Sequence, residues 1–427
     1  MRNVSKQTEG GVVSRQFGSW EHRLAGILSS FPWLKQKAKK TYQTINYCLH
    51  KKPYAFRSEL SVTRVGNSPR GEFFGYFQNS PQRNGRIVFL VPGDTSLDYQ
   101  KGFSVDVMIG EKKVSETMAW NWQQGCMLWW LNDREVCYNR FAEGQYQAEI
   151  FDVSTNKARL VSVPLCAISG DGKQGYSIDF GHLAAVNPDY GYFCKKPEQS
   201  RASAVIQRVD LVENRVTDVL NLKTVLDLDF RSSFNNATHE INHISVSPDN
   251  QRIMFIHRWY KSGTGRQSRL ITANPDFTEL HGLADGGMVS HCTWKNNSQI
   301  IGWLQLDGKS AYYLLNDRED RYEVIGAEVF RSDGHPTVIE EEWLLTDTYP
   351  DRARMSQLLL YHLKTHKIIK LGEFYSPLKF WSATRCDLHP KYSPESQSIF
   401  FESVHTGQRC LYQMSLVDVL TKNVVKA

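Results

Sequence analysis

A chain of 427 residues, 41% hydrophobic and 22% charged, can bury a large core, which excludes a disordered or low-complexity protein. Its net charge of +6 biases it toward anionic partners through the field it creates, but no long Lys/Arg run and no binding module supports nucleic acid as a partner. Eight scattered cysteines without CxxC pairs read as reduced core residues, and MRNVSKQTEGGVVSRQ at the start has no apolar signal core, so a cytoplasmic protein without a membrane span is expected.

Residues 1–52 form a segment of their own. Between 17 and 50, Phe17, Trp20, Leu24, Ile27, Leu28, Phe31, Leu34 and Tyr42 recur at helical spacing, with Lys35, Lys37, Lys39 and Lys40 among them. Pro32 divides the stretch into two short helices. Such a segment is either a helical cap on the main domain or a basic amphipathic element for a membrane surface or a protein partner.

From 53 to 427 the chain turns to short aromatic and β-branched strands punctuated by Gly, Asn, Asp and Pro. One phrase recurs seven times, a turn followed by an alternating apolar strand: NSPQRNGRIVFLV (79–91), WNWQQGCMLWWL (120–131), AISGDGKQGYSIDF (167–180), ISVSPDNQRIMFI (244–256), CTWKNNSQIIGWL (292–304), PTVIEEEWLLTD (336–347) and PKYSPESQSIFFE (390–402). Most lie about 44 to 54 residues apart, the period of a four-stranded blade, and one gap of about 78 holds an insertion. The spacing predicts an all-β, seven-bladed β-propeller with a short N-terminal helical segment. Asp171-Gly172 and Asp249-Asn250 supply the tight hairpin turns.

In a propeller, residues at equivalent phase in successive repeats converge on the axis. His243, His291, His335 and His389 stand just before the phrase in four consecutive repeats. With a carboxylate beside them, they suit Mn²⁺ or Zn²⁺. Two other readings stay open: a ring of histidines bonding the strand backbones, and metal-free anion binding by imidazolium groups. Asp347 and Arg352 in LTDTYPDR, together with Arg385 beside Asp387, could complete a polar wall for sugar hydroxyls and carboxylates. WNWQQG sets Trp120, Trp122 and Gln123 near the channel mouth, where indole faces could stack on sugar rings. No GxSxG elbow, Walker loop, GxGxxG turn or HExxH helix is present.

SPDNQRIMF resembles the SPDGxxIxF phrase of TolB-like and WD40-like propeller blades. NHISVSPDNQRIMFIHRW (242–259), SHCTW (290–294), DGHPTV (333–338) and CDLHPKYSP (386–394) resemble the oligogalacturonate lyase group in order and character, over roughly the last 190 residues. That resemblance implies a divalent cation, manganese first, held by histidines and a glutamine, with a further histidine as base in a β-elimination on a uronate-containing oligo- or polysaccharide. Carried over, the base matches His257, with Arg258 as its electrostatic partner. A ligand histidine matches His291, and the family's histidine pair before Pro falls on Asp387 and His389; His335 joins them as a fourth candidate ligand. The glutamine falls near Thr384, a departure, and aspartate in place of histidine hardens the site. FFGYFQNSP (73–81), AWNWQQG (119–125) and PDYGYF (188–193) are similar to propeller proteins of bacterial polysaccharide gene clusters, which implies the alternative of a non-catalytic scaffold or sensor in polysaccharide biosynthesis.

Overall fold

The structure, a computed structural model, describes residues 32–76, 80–98, 102–195, 204–261 and 265–423. Seven antiparallel sheets follow one another along the chain. Blade 1 contains Gln82–Arg83, Arg86–Pro92, Val105–Ile109 and Lys112–Thr117; blade 2, Trp129–Trp130, Glu135–Ala142, Gln145–Asp152 and Lys157–Val161; blade 3, Ala167–Ile168, Gln174–Ser177, Ala204–Asp210 and Arg215–Asn221. Blade 4 contains Thr238–Val246, Ile253–Lys261, Gly265–Ala273 and His281–Gly287; blade 5, Val289–Trp294, Gln299–Leu306, Lys309–Asn316 and Tyr322–Ile325. Blade 6 begins with Thr337–Ile339, Trp343–Asp347, Met355–His362 and Ile368–Tyr375, and blade 7 with Lys391–Ser393, Ser398–Ser403 and Cys410–Ser415. This is the seven-bladed propeller that the repeat predicts, and every phrase supplies the first strands of one blade.

The stretch after the N-terminal helix completes the last two blades. Thr63–Arg64 pairs with Cys410–Ser415 as the outermost strand of blade 7, and Phe56–Ser58 adds a fifth strand to blade 6. The ring is thereby closed by strands from opposite ends of the sequence, which removes an open sheet edge. Period-two burial packs the blades together. In Val105–Ile109 alternate residues are buried, and Val105 and Val107 join Phe73, Trp120 and Trp122 in the core spanning blades 1 and 2. Leu358, Leu360, Phe374 and Phe401 do the same between blades 6 and 7.

The hairpin chemistry is repeated in side-chain detail. Ser169 bonds Asp171 and Ser247 bonds Asp249, each at 2.6 Å, while Gly172 and Asn250 take φ of +69° and +62°. Helix α1 (Pro32–His50) begins on Pro32. The helix expected before it lies outside the described residues. Tyr47 stacks on Tyr375 at 5.3 Å and Lys40 lies 5.7 Å from the Trp381 ring, which seats α1 against blade 6 and the crossover to blade 7. The predicted insertion falls inside blade 3, after Ser177, and includes helix α2 (Phe180–Val186), capped by the Asp179 carboxylate. Among the described residues no helix is long and apolar enough to cross a membrane.

Candidate metal and anion site

Blades 4 to 7 each send one histidine to the same end of the channel. The ring centroids of His243 and His291 are 5.8 Å apart, those of His291 and His335 4.3 Å, and those of His335 and His389 4.4 Å. Tyr76 fills their centre, its ring 5.9, 5.1, 4.9 and 5.7 Å from the four imidazoles in that order, and all five side chains are buried. The backbone bends to make this possible. His243 sits at +57° in a bulge between Asn242 and Ser245, and His389 at +45°. Non-glycine residues held in the left-handed region are characteristic of functional clusters.

Tyr76 was not singled out from the sequence, although FFGYF was. Its main chain is fixed from two sides: the Glu402 carboxylate accepts the N–H groups of Phe74 and Gly75, and Tyr76 N–H donates to the Gln123 carbonyl at 2.7 Å. A Cβ on Gly75, at φ +93°, would stand 2.4 Å from the Gln124 carbonyl carbon, so only glycine allows this approach. Arg409 neutralises Glu402 at 2.7 Å.

Carboxylates set the histidine tautomers. Asp347 accepts from His335 Nδ1 at 2.9 Å and from the backbone N–H groups of His335, Leu388 and His389 at 2.7, 3.0 and 3.1 Å. It clamps the lead-in loops of blades 6 and 7 together and turns His335 Nε2 away, toward the cluster. Asp333 does the same for His291, whose Nδ1 lies 3.2 Å from its carboxylate. Arg258 is bound to Glu240 at 3.1 Å and reaches His243 Nδ1 at 3.4 Å; an arginine only donates, so His243 carries its proton on Nε2.

Burial opposes a charge on His335, but the Asp347 carboxylate outweighs it and raises the pKa. Burial likewise works against ionising Asp347, yet His335 and the converging donors bring it down to about 2. For His243, His291 and His389 burial dominates and lowers the pKa, so these rings are neutral at pH 7.

His335, Asp387 and His389 bring one ligand atom each within 4.8 Å of one another. The buried Nδ1 of His389 has no hydrogen-bond partner. Two imidazole donors and one carboxylate fit a borderline-to-hard divalent ion such as Mn²⁺ or Zn²⁺. His291, the remaining predicted ligand, lies beside this group rather than within it.

Other expected site residues are corrected by their surroundings. His257 and Arg258 point to opposite sides of their strand. Arg258 faces the funnel, whereas His257 is buried inside blade 4 with His239 on Nε2 at 3.0 Å and Arg269 on Nδ1 at 3.1 Å. Both nitrogens are occupied, and burial with the nearby Arg269 charge pushes its pKa down to about 2. Trp120 and Trp122 are core residues whose indole N–H groups donate to Phe103 and Leu97 carbonyls, so they offer no face for a sugar. Gln123 ties blade 2 to the crossover before blade 7 through Arg385 O at 2.9 Å. Asp347 is the clamp rather than a sugar wall, and Arg352 is exposed beside α1, lining a surface cleft with Tyr42 and Asn46. Arg385 does reach the site, bound to Asp387 at 2.8 Å and also to Asp189 of the blade 3 insertion.

No family model matches the chain, and the search of curated proteins returned no match. Solved structures do match. An oligogalacturonate lyase from Vibrio parahaemolyticus is 13% identical, with a TM-score of 0.57 over 84% of this chain and 96% of that one. An oligogalacturonate lyase in complex with manganese is 15% identical, with a TM-score of 0.59 over 86% and 95%. TolB from Acinetobacter baumannii is 12% identical, with a TM-score of 0.37 over 73% and 65%. At such identities the two lyases share the propeller with this chain.

Proposed function

We propose that the funnel is a divalent-cation site for the carboxylate of an acidic saccharide and that the protein is a metal-dependent lyase acting by β-elimination. The observation that carries this reading is the His335–Asp387–His389 group, whose buried ligand atoms lie within 4.8 Å of one another. Manganese in the similarly folded oligogalacturonate lyase is in line with it. The charges supply the ligand class. Asp387 is paired with Arg385, Glu402 with Arg409 and Glu240 with Arg258, so a divalent ion added beside these neutralised pairs draws the carboxylate of a ligand toward it.

When bound, the cation draws charge from a substrate carboxylate and makes the adjacent C–H more acidic. His291, neutral and held by Asp333 with its Nε2 lone pair outward, takes that proton. The C–H electrons become the new double bond and the C–O bond to the neighbouring sugar breaks. Tyr190, whose ring lies 5.4 Å from His243 and whose phenol burial keeps protonated, donates a proton to the departing oxygen. His243 offers its Nε2–H to the substrate. Equilibrium dialysis against Mn²⁺ and Zn²⁺ tests this: near-stoichiometric metal should be lost in a folded His335→Ala/His389→Ala variant, and the loaded wild type should release unsaturated uronate, read by ultraviolet absorbance, from a polyuronate panel. Metal without product from any polymer would rule out the lyase.

The depth of burial of all four histidines, together with exposed Ile45 and Leu49 on α1, favours a second reading, a binding propeller that senses an acidic saccharide without cleaving it. Saccharide binding with no turnover is its signature.

A further inference from the structure

The blade 3 insertion crosses the mouth of the funnel. On the blade 3 and blade 4 side it is rooted by several contacts: Phe180 stacks on Tyr192 at 4.2 Å and Asn187 donates to Glu240 at 3.1 Å, both buried, and half-buried His182 Nε2 meets the His239 carbonyl at 2.9 Å. Asn121 of blade 2 holds the Tyr190 carbonyl at 3.0 Å, and Tyr190 itself covers His243. At the far side, toward blade 7, the contact is different in kind: a partly exposed ion pair between Asp189 and Arg385. Arg385 is also the arginine whose Nε grips the candidate ligand Asp387.

We propose that the tip of this insertion, residues 187–190, is a lid latched by Asp189, whose carboxylate occupies on Arg385 the position that a substrate carboxylate takes when it enters. This deepens the metal-lyase reading, since it assigns how an acidic ligand gains access to that same site. Exchange of one carboxylate for another on a guanidinium is nearly balanced, so an acidic sugar opens the lid at little cost, whereas a neutral sugar must break the ion pair without replacing it. The latch thus selects charge before any contact with the histidines. Its partial exposure makes it weak and salt-sensitive, as a reversible closure requires.

The test uses the full chain, D-galacturonate as probe and D-galactose as neutral control, with binding by calorimetry and amide exchange read over residues 180–192. Asp189→Asn, isosteric and uncharged, should raise galacturonate affinity roughly fivefold and speed exchange in the lid, while Asp189→Glu should behave as wild type. Unchanged affinity or unchanged lid exchange in Asp189→Asn overturns the latch, as does failure of that variant to bind galacturonate. Galacturonate binding that responds to Asp189→Asn in a protein that takes up no Mn²⁺ or Zn²⁺ supports the latch and overturns the metal reading instead.

Discussion

The two sides of the ring answer the same geometric problem differently. Three or four residues before the end of their innermost strands, blades 4 to 7 place His243, His291, His335 and His389, the first three bonded to an arginine or a carboxylate. At the matching points of blades 2 and 3 stand Met127 and Leu165, both absorbed into the core between blades. Met127 even shares the left-handed backbone, at +54° against +57° for His243 and +45° for His389. The backbone device is thus common to both sides, and the side chain decides whether it serves packing or chemistry. Blades 1 and 3 contribute to the site from longer loops instead, Tyr76 on the axis and Tyr190 across the mouth.

The largest effect is expected where the polar side is held together. Asp347→Ala removes the partner of His335 and leaves the N–H groups of His335, Leu388 and His389 without an acceptor, so unfolding in denaturant should show a loss of about 4 kcal/mol. Asp347→Asn keeps the shape, can accept some of those bonds and should lose less, yet retain little metal because His335 is no longer oriented. Equal stability of Asp347→Ala and the wild type would mean that the clamp is not formed.

The complementary cut falls on the apolar side. Trp122→Ala opens a cavity against Phe73 and should cost about 3 kcal/mol, measured by the same titration, while metal uptake and saccharide binding stay as in the wild type. Loss of saccharide binding in a folded Trp122→Phe protein would return the indole to the role that the sequence suggested for it.

That suggestion shows where sequence reading reached and where it stopped. The blades were legible because a strand hairpin repeats its turn chemistry locally, Ser247-Asp249-Asn250 echoing Ser169-Asp171-Gly172. The histidine ring was legible for the same reason, since equal phase in successive repeats projects onto one axis. What was not legible depended on distance in three dimensions. His257 and Arg258 are adjacent in sequence, and only the direction of their strand in the finished blade reveals that one faces the funnel and the other is buried beside Arg269. Asp347 resembled a ligand-binding carboxylate until its four donors, drawn from 335 and 388–389, were in view. Tyr76 belongs to blade 1 yet touches histidines from four other blades, a contact that no spacing encodes.

The smallest predicted effect separates histidines by role. His405, in blade 7, packs against Phe56 and Tyr412 at 4.9 and 4.7 Å and bonds the Ser403 hydroxyl at 2.8 Å, away from the funnel ring. Burial lowers its pKa to about 4, below the ordinary value near 6.5 that it regains on unfolding. Between those two values the unfolded chain binds the extra proton, so its contribution to stability is full above pH 6.5 and declines as pH falls toward 4. Replacing it with Gln, which can keep a bond to Ser403, should therefore flatten the acid limb by about 1 kcal/mol between pH 7 and pH 5.5, seen as a smaller shift of the urea midpoint. The Mn²⁺ affinity of that variant should match the wild type at pH 7. If it fell instead, the histidines of the blade interior and those of the axis would not be separable, and the division of the ring into packing and chemistry would fail at blade 7.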